Sequence, residues 1–180
     1  MTRQLQAKRL NVQAFAQDGL PLAESTLLQN MERLALETRE LQPDSTVNWE
    51  AVAELRAGSG EQEDVWMHLR AAAVVPLTCQ RCMGTVQTPL EVDQWYRFVA
   101  TEEIAMAEDD ESEEDLLVLE PQFDLLAVLE DELLMALPLV PMHEHCPVAP
   151  VLSAGTLEEP DEAGEKPNPF AVLAQLKKPK

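Results

Sequence analysis

Val47, Trp49, Ala51, Ala53, Leu55 and Ala57 alternate with Asn48, Glu50, Val52, Glu54 and Arg56. Successive strand side chains point to opposite faces, so this period of two predicts a half-buried strand. Gly58, Ser59 and Gly60 supply a turn. Val65, Met67, Leu69, Ala71, Ala73 and Val75 continue as a second strand, with Trp66, His68 and Arg70 on the opposite face. A turn over Cys79–Gly84 leads to a third, whose Val86, Leu90, Val92, Tyr96 and Phe98 share one side. Pro89 within it points to a sheet edge, because proline has no N–H to give to a ladder. Consecutive strands joined by short turns predict an antiparallel meander.

The flanking segments carry other signals. Leu10, Val12, Ala14 and Ala16 alternate with Asn11, Gln13, Phe15 and Gln17, which predicts a short strand. Leu27, Leu28, Met31, Leu34 and Ala35 recur at helical spacing and predict a helix over about 22–40, closed before Pro43. The stretch 101–115 is expected to be a solvated acidic loop, and Leu116–Leu119 a short strand. Asp124 can cap a helix over about 125–137, with Leu126, Leu129, Leu133 and Leu137 as its stripe and Pro138 as its stop. The expected fold is α+β: an antiparallel β-meander covered by two helices, spanning 1–152 as a single domain. A polar linker over 153–167 then leads to a C-terminal helical segment over 168–180.

Charge changes this picture. The 180-residue chain has a net charge of −20, from 13 Lys+Arg against 33 Asp+Glu. No Lys or Arg occurs between Arg97 and Lys166, and that stretch holds 20 of the acids. The remaining 13 acids match the 13 bases, so the net charge sits in one block. Such a block repels phosphate, which disfavours direct nucleic-acid binding and anionic membranes. Basic proteins are its natural partners, because opposite potentials steer encounter. Asp109, Asp110, Glu111, Glu113, Glu114 and Asp115 are the candidate contacts, the alternative being that they only keep the chain soluble. Arg56, Arg70 and Arg97, in the neutral half, could form a modest patch for RNA. No stretch nears the roughly 20 apolar residues a membrane helix needs, and no apolar leader follows Arg3, Lys8 and Arg9. A cytoplasmic location is expected.

Candidate chemistry is sparse. Cys79 and Cys82 form a Cys-x-x-Cys pair, and His143 and Cys146 repeat the spacing. The two hooks could supply four ligands to a tetrahedral zinc ion, with His145 as an alternative ligand. The plain alternative is three cysteines idle near a turn and two histidines on a loop. Redox chemistry fits poorly, because a strand and not a helix follows Cys82. Glu130, Asp131 and Glu132 are consecutive, so a helix fans them apart instead of pairing them as acid and base, and a solvated face is expected. No nucleophile elbow, P-loop or dinucleotide fingerprint occurs. Phe170, Leu173 and Leu176, behind Pro169, give the last segment a stripe that must dock on its own domain or in a partner groove.

Three blocks, taken in order, resemble one family. They are Cys79-Gln80-Arg81-Cys82; then Asp124-Leu125-Leu126 with Glu130-Asp131-Glu132, Leu137, Pro138, Pro141 and His143; then Lys166 to Leu176. Together they resemble the YceD family, the large ribosomal RNA subunit accumulation proteins, over roughly 79–178. The resemblance implies a bacterial cytosolic protein with a non-enzymatic role in the synthesis, processing or stability of 23S ribosomal RNA. It offers no catalytic residues to carry over. Joined to the charge, it suggests a factor that holds a basic ribosomal or assembly protein and touches rRNA only weakly or indirectly.

Overall fold

The structure, a computed structural model, describes residues 6–58 and 63–148. Five strands form one sheet in the order β1-β2-β3-β4-β5: Leu22–Leu27, Thr46–Ala57, Glu63–Thr78, Thr85–Val99 and Asp115–Val118. Neighbours from β1 to β4 run antiparallel, whereas β5 runs parallel to β4, from Tyr96 opposite Asp115 to Val99 opposite Val118. With helices α1 (Val12–Asp18), α2 (Glu32–Glu37), α3 (Glu102–Glu108) and α4 (Leu125–Met135), the class is α+β, dominated by strands. The sheet is therefore mixed, not purely antiparallel. A parallel neighbour needs a crossover, and α3 with the turn Asp109–Glu111 supplies it.

The period-two residues bury one face. Val47, Trp49, Ala51 and Ala53 of β2 join Val65, Met67, Leu69 and Val75 of β3, and Leu90, Val92, Tyr96 and Phe98 of β4. Val12 and Phe15 of α1, Leu34 of α2, and Leu125, Leu129 and Leu133 of α4 enter the same core. On the other face Arg70, Ala72 and Val74 stay exposed. Pro89 pairs with Val74 on β3, and β5 reaches β4 only from Tyr96 onward, so Pro89 does lie on an edge.

Several expectations are corrected. The expected strand at 10–17 is helix α1 beyond a single bridge from Leu10 to Phe123. The Asn11 side chain accepts the Ala14 N–H, and Gly19 closes the helix at φ 59°. Val12, Phe15 and Ala16 thus face the core at helical, not alternating, spacing. The expected helix over 22–40 begins as strand β1, passes through a 3-10 turn at Leu28–Asn30 and is α-helical only over α2. Pairing with β2 over the whole of β1 overrides helix propensity there, and Trp49 Nε1 donates to Thr26 across the pair at 3.0 Å.

The acidic stretch is not a free loop. Thr101 caps α3 by accepting from the Ile104 N–H, and Arg97 ties both ends of the following turn. It donates to Glu108 at 2.9 Å, Ser112 at 3.0 Å and Glu114 at 2.7 Å. In α4 the buried stripe is Leu125, Leu129 and Leu133, with Leu126 and Leu137 only half-buried. The linker over 153–167 and the segment over 168–180, with Pro169, Phe170, Leu173 and Leu176, lie outside the described residues. Among the described residues, no helix is long and apolar enough to cross a membrane.

Candidate metal centre and acidic face

The turn between β3 and β4 builds the first half of the site. Cys79 N–H donates to the Gly84 carbonyl at 2.8 Å, and Met83 N–H donates to the Cys79 carbonyl at 2.9 Å. Met83 takes the left-handed conformation at φ 60° to close the turn. The second half comes from the chain beyond α4. Pro141 accepts the Gln80 N–H at 2.9 Å, which lays 141–146 against the turn. Arg81 fastens it by donating to the carbonyls of His143 at 2.5 Å and Glu144 at 3.1 Å.

Cys79, Cys82, His143 and Cys146 thereby meet, their donor atoms all within 4.8 Å of one another. Cys79 Sγ lies 3.9 Å from Cys146 Sγ, and Cys82 Sγ lies 3.4 Å from His143 Nδ1. A tetrahedral zinc ion with ordinary bond lengths would have edges of about 3.8 Å between sulfurs and about 3.6 Å between sulfur and nitrogen. The donor set and spacing fit a metal ion. His143 Nε2 lies 3.0 Å from the Thr85 carbonyl. A carbonyl only accepts, so Nε2 carries the proton and Nδ1 keeps its lone pair for the site. His145, the alternative ligand, is exposed and is not among the four converging residues.

The electrostatics suit thiolates. Burial opposes ionisation of Cys79, but the N–H groups of Cys82, His143 and Arg81 bring its pKa down to about 5. For Cys82, the Gly84 N–H favours the thiolate. Burial and the neighbouring sulfurs of Cys146 and Cys79 outweigh it and push the pKa up. Of these two, Cys79 is the readier to meet a metal as the thiolate, and metal binding to a thiol releases its proton. The Arg81 guanidinium, with Nε 3.1 Å from Cys146 Sγ, offsets part of the accumulated charge. Three thiolates and one imidazole would complete the coordination of a tetrahedral ion and leave it no open position for substrate.

The acidic face divides into two groups. Asp109, Asp110, Glu111 and Glu113 are exposed. Glu114 is half-buried against Arg97, and Asp115 accepts from the Gln94 amide at 2.7 Å. These last two also bond within the fold.

Glu130, Asp131 and Glu132 also have inward duties that their consecutive placement concealed. Glu130 accepts the backbone N–H groups of Arg33 at 2.7 Å and Leu34 at 3.0 Å, capping α2 from another element. Its other oxygen and Asp131 take the Arg33 guanidinium. Glu132 accepts the hydroxyl proton of buried Tyr96 at 2.7 Å, and burial together with this carboxylate raises the Tyr96 pKa. The solvated face expected for the three acids is thus corrected for Glu130 and Glu132, whereas Asp131 stays exposed. Only Tyr96 among apolar strand positions carried a hint, since a buried hydroxyl needs a partner.

An α+β sheet domain with a Cys₃His cluster before the start of β4 and an acidic crossover after its end is the class these features define. Residues 67–177 match the family described as "Large ribosomal RNA subunit accumulation protein YceD", and the chain belongs to that family. A protein of Haemophilus influenzae described by the same words is 44% identical over 113 residues. The similarity covers 57% of this chain and 60% of that protein. No solved structure matches.

Proposed function

We propose that this protein is a non-enzymatic cytoplasmic factor that sustains 23S ribosomal RNA during large-subunit biogenesis, and that it acts by holding a basic protein partner. Family membership, with the printed description of the relative, supports the link to large-subunit RNA. The base-free stretch between Arg97 and Lys166 supports a basic partner over direct RNA contact. Each arginine of the suggested RNA patch is already bonded to a carboxylate: Arg56 to Glu54, Arg70 to Glu50, and Arg97 to Glu108 and Glu114. In this reading the Cys₃His cluster holds zinc as a structural staple.

Depletion of the protein is expected to lower 23S RNA relative to 16S RNA, with particles stalled before the mature large subunit. RNA quantification with gradient profiles checks this, and an unchanged ratio with normal particles refutes the role. A second expectation concerns the acids. Converting exposed Asp109, Asp110, Glu111 and Glu113 to their amides, while keeping Glu108 and Glu114 on Arg97, should weaken association with assembling particles and flatten its salt dependence. Co-sedimentation at rising salt measures both. Unchanged association would mean that these acids serve solubility alone.

A further inference from the structure

The sheet face opposite the core carries a second constellation, toward the end of β3 remote from the cysteine turn. The Arg56 guanidinium of β2 lies 4.4 Å from the ring centre of Trp66 and 4.2 Å from that of Trp95. The two indoles meet edge to face, 6.4 Å apart at 67°. His68 stacks on Trp95 at 4.3 Å with 2° between the planes, and its Nε2 lies 2.6 Å from Asp93. Arg56, Trp66, Trp95, Asp93, Glu113 and Glu114 line an adjoining cavity of about 520 Å³. Indole faces attract cations, and a planar guanidinium can also stack on them. The pair of rings is therefore a guanidinium slot, and Arg56 shows what it accepts.

The occupant is weakly held. Arg56 is bonded to Glu54 at 2.6 Å, and both side chains are exposed, 39% and 48%. Exposed pairs of this kind contribute only about 0–1 kcal/mol. The negative charge beside the slot also exceeds what Arg56 answers. Asp93 and Glu113 line the cavity, and among the described residues no cation pairs with Glu113. We propose that the Trp66–Trp95 slot receives an arginine side chain of a basic protein partner, which displaces Arg56. This rests on the reading of the protein as a holder of a basic partner. A nucleic acid fits worse, because its phosphates would meet Asp93, Glu113 and Glu114.

The test titrates the full chain into a labelled arginine octapeptide, followed by anisotropy. Arg56→Gln empties the slot, whereas Arg70→Gln removes the same charge from the same face without touching the indoles. Arg56→Gln is expected to tighten peptide binding roughly threefold more than Arg70→Gln does. Joint replacement of Trp66 and Trp95 by Leu is expected to weaken it about fivefold, and a lysine octapeptide should bind less tightly than the arginine one. Equal effects of the two arginine variants would overturn the proposal even if the tryptophan variant fails to fold. So would tighter, tryptophan-dependent binding of a uridine octanucleotide. The two readings fail separately. A fall in 23S RNA with equal arginine variants refutes the slot alone, whereas a normal RNA ratio with the slot behaving as stated refutes the ribosomal role alone.

Discussion

Chelation of the purified protein is expected to lower its melting temperature by about 10 °C and to release close to one zinc ion per chain. The size follows from linkage. A ligand at a free concentration a thousandfold above its dissociation constant adds about 4 kcal/mol to the folded state. For a domain of this length that amounts to about 8–16 °C. The staple closes a long loop, because His143 and Cys146 are brought to Cys79 and Cys82 from beyond α4. Metal analysis and calorimetry with and without chelator measure the two quantities. Cys79→Ser and His143→Ala should each abolish stoichiometric zinc, whereas His145→Ala should leave it intact, because that exposed ring lies outside the cluster. Zinc that survives loss of Cys79 and His143 together would place the ion elsewhere. A cobalt-substituted sample should show the intense visible bands of a tetrahedral thiolate site. An octahedral spectrum would contradict the closed geometry.

Glu130→Ala is expected to destabilise the fold by about 2–4 kcal/mol, the largest effect of any single acidic residue here. The carboxylate takes two backbone N–H groups at the start of α2 and the Arg33 guanidinium, with its side chain only 12% exposed. Met31, at the cap position of α2, offers no side-chain bond of its own. Removal of Glu130 therefore leaves two amides and a guanidinium without that partner. Glu130→Gln keeps an oxygen near the amides and should cost about half as much. Asp131→Asn should stay within about 1 kcal/mol, because Asp131 is 54% exposed and meets only the outer end of Arg33. Denaturant titration of the three variants ranks them. Equal losses at 130 and 131 would mean that the cap contributes little beyond its charge.

These adjacent acids show how far a linear reading reaches. Glu130 and Asp131 look interchangeable in the chain, and only the approach of α2 separates a buried cap from a surface charge. The same limit explains the errors in the first 40 residues. Leu22–Leu27 holds its extended form because β2 lies beside it, and an edge strand with few buried positions leaves a faint period. The acidic stretch carried no sign of order because its anchor, Arg97, belongs to the preceding strand. The cysteine and histidine hooks were visible as spacings. Their convergence was not, because it depends on where the chain goes after α4.

What the sequence determined by itself was local or periodic. The central strands follow from alternation, because each residue's face is set by its neighbours along the chain. The Cys79–Gly84 turn, the Asp124 cap of α4 and the sign of the charge block belong to the same class. What the tertiary structure alone decided was every feature that needs two distant segments to meet. β1 and α3, the capping of α2 by Glu130, the Cys₃His cluster and the stacking of Arg56 on Trp66 and Trp95 are of that kind. The physical reason is common to all of them. Their stabilising contacts exist only after chain closure, so no local propensity records them.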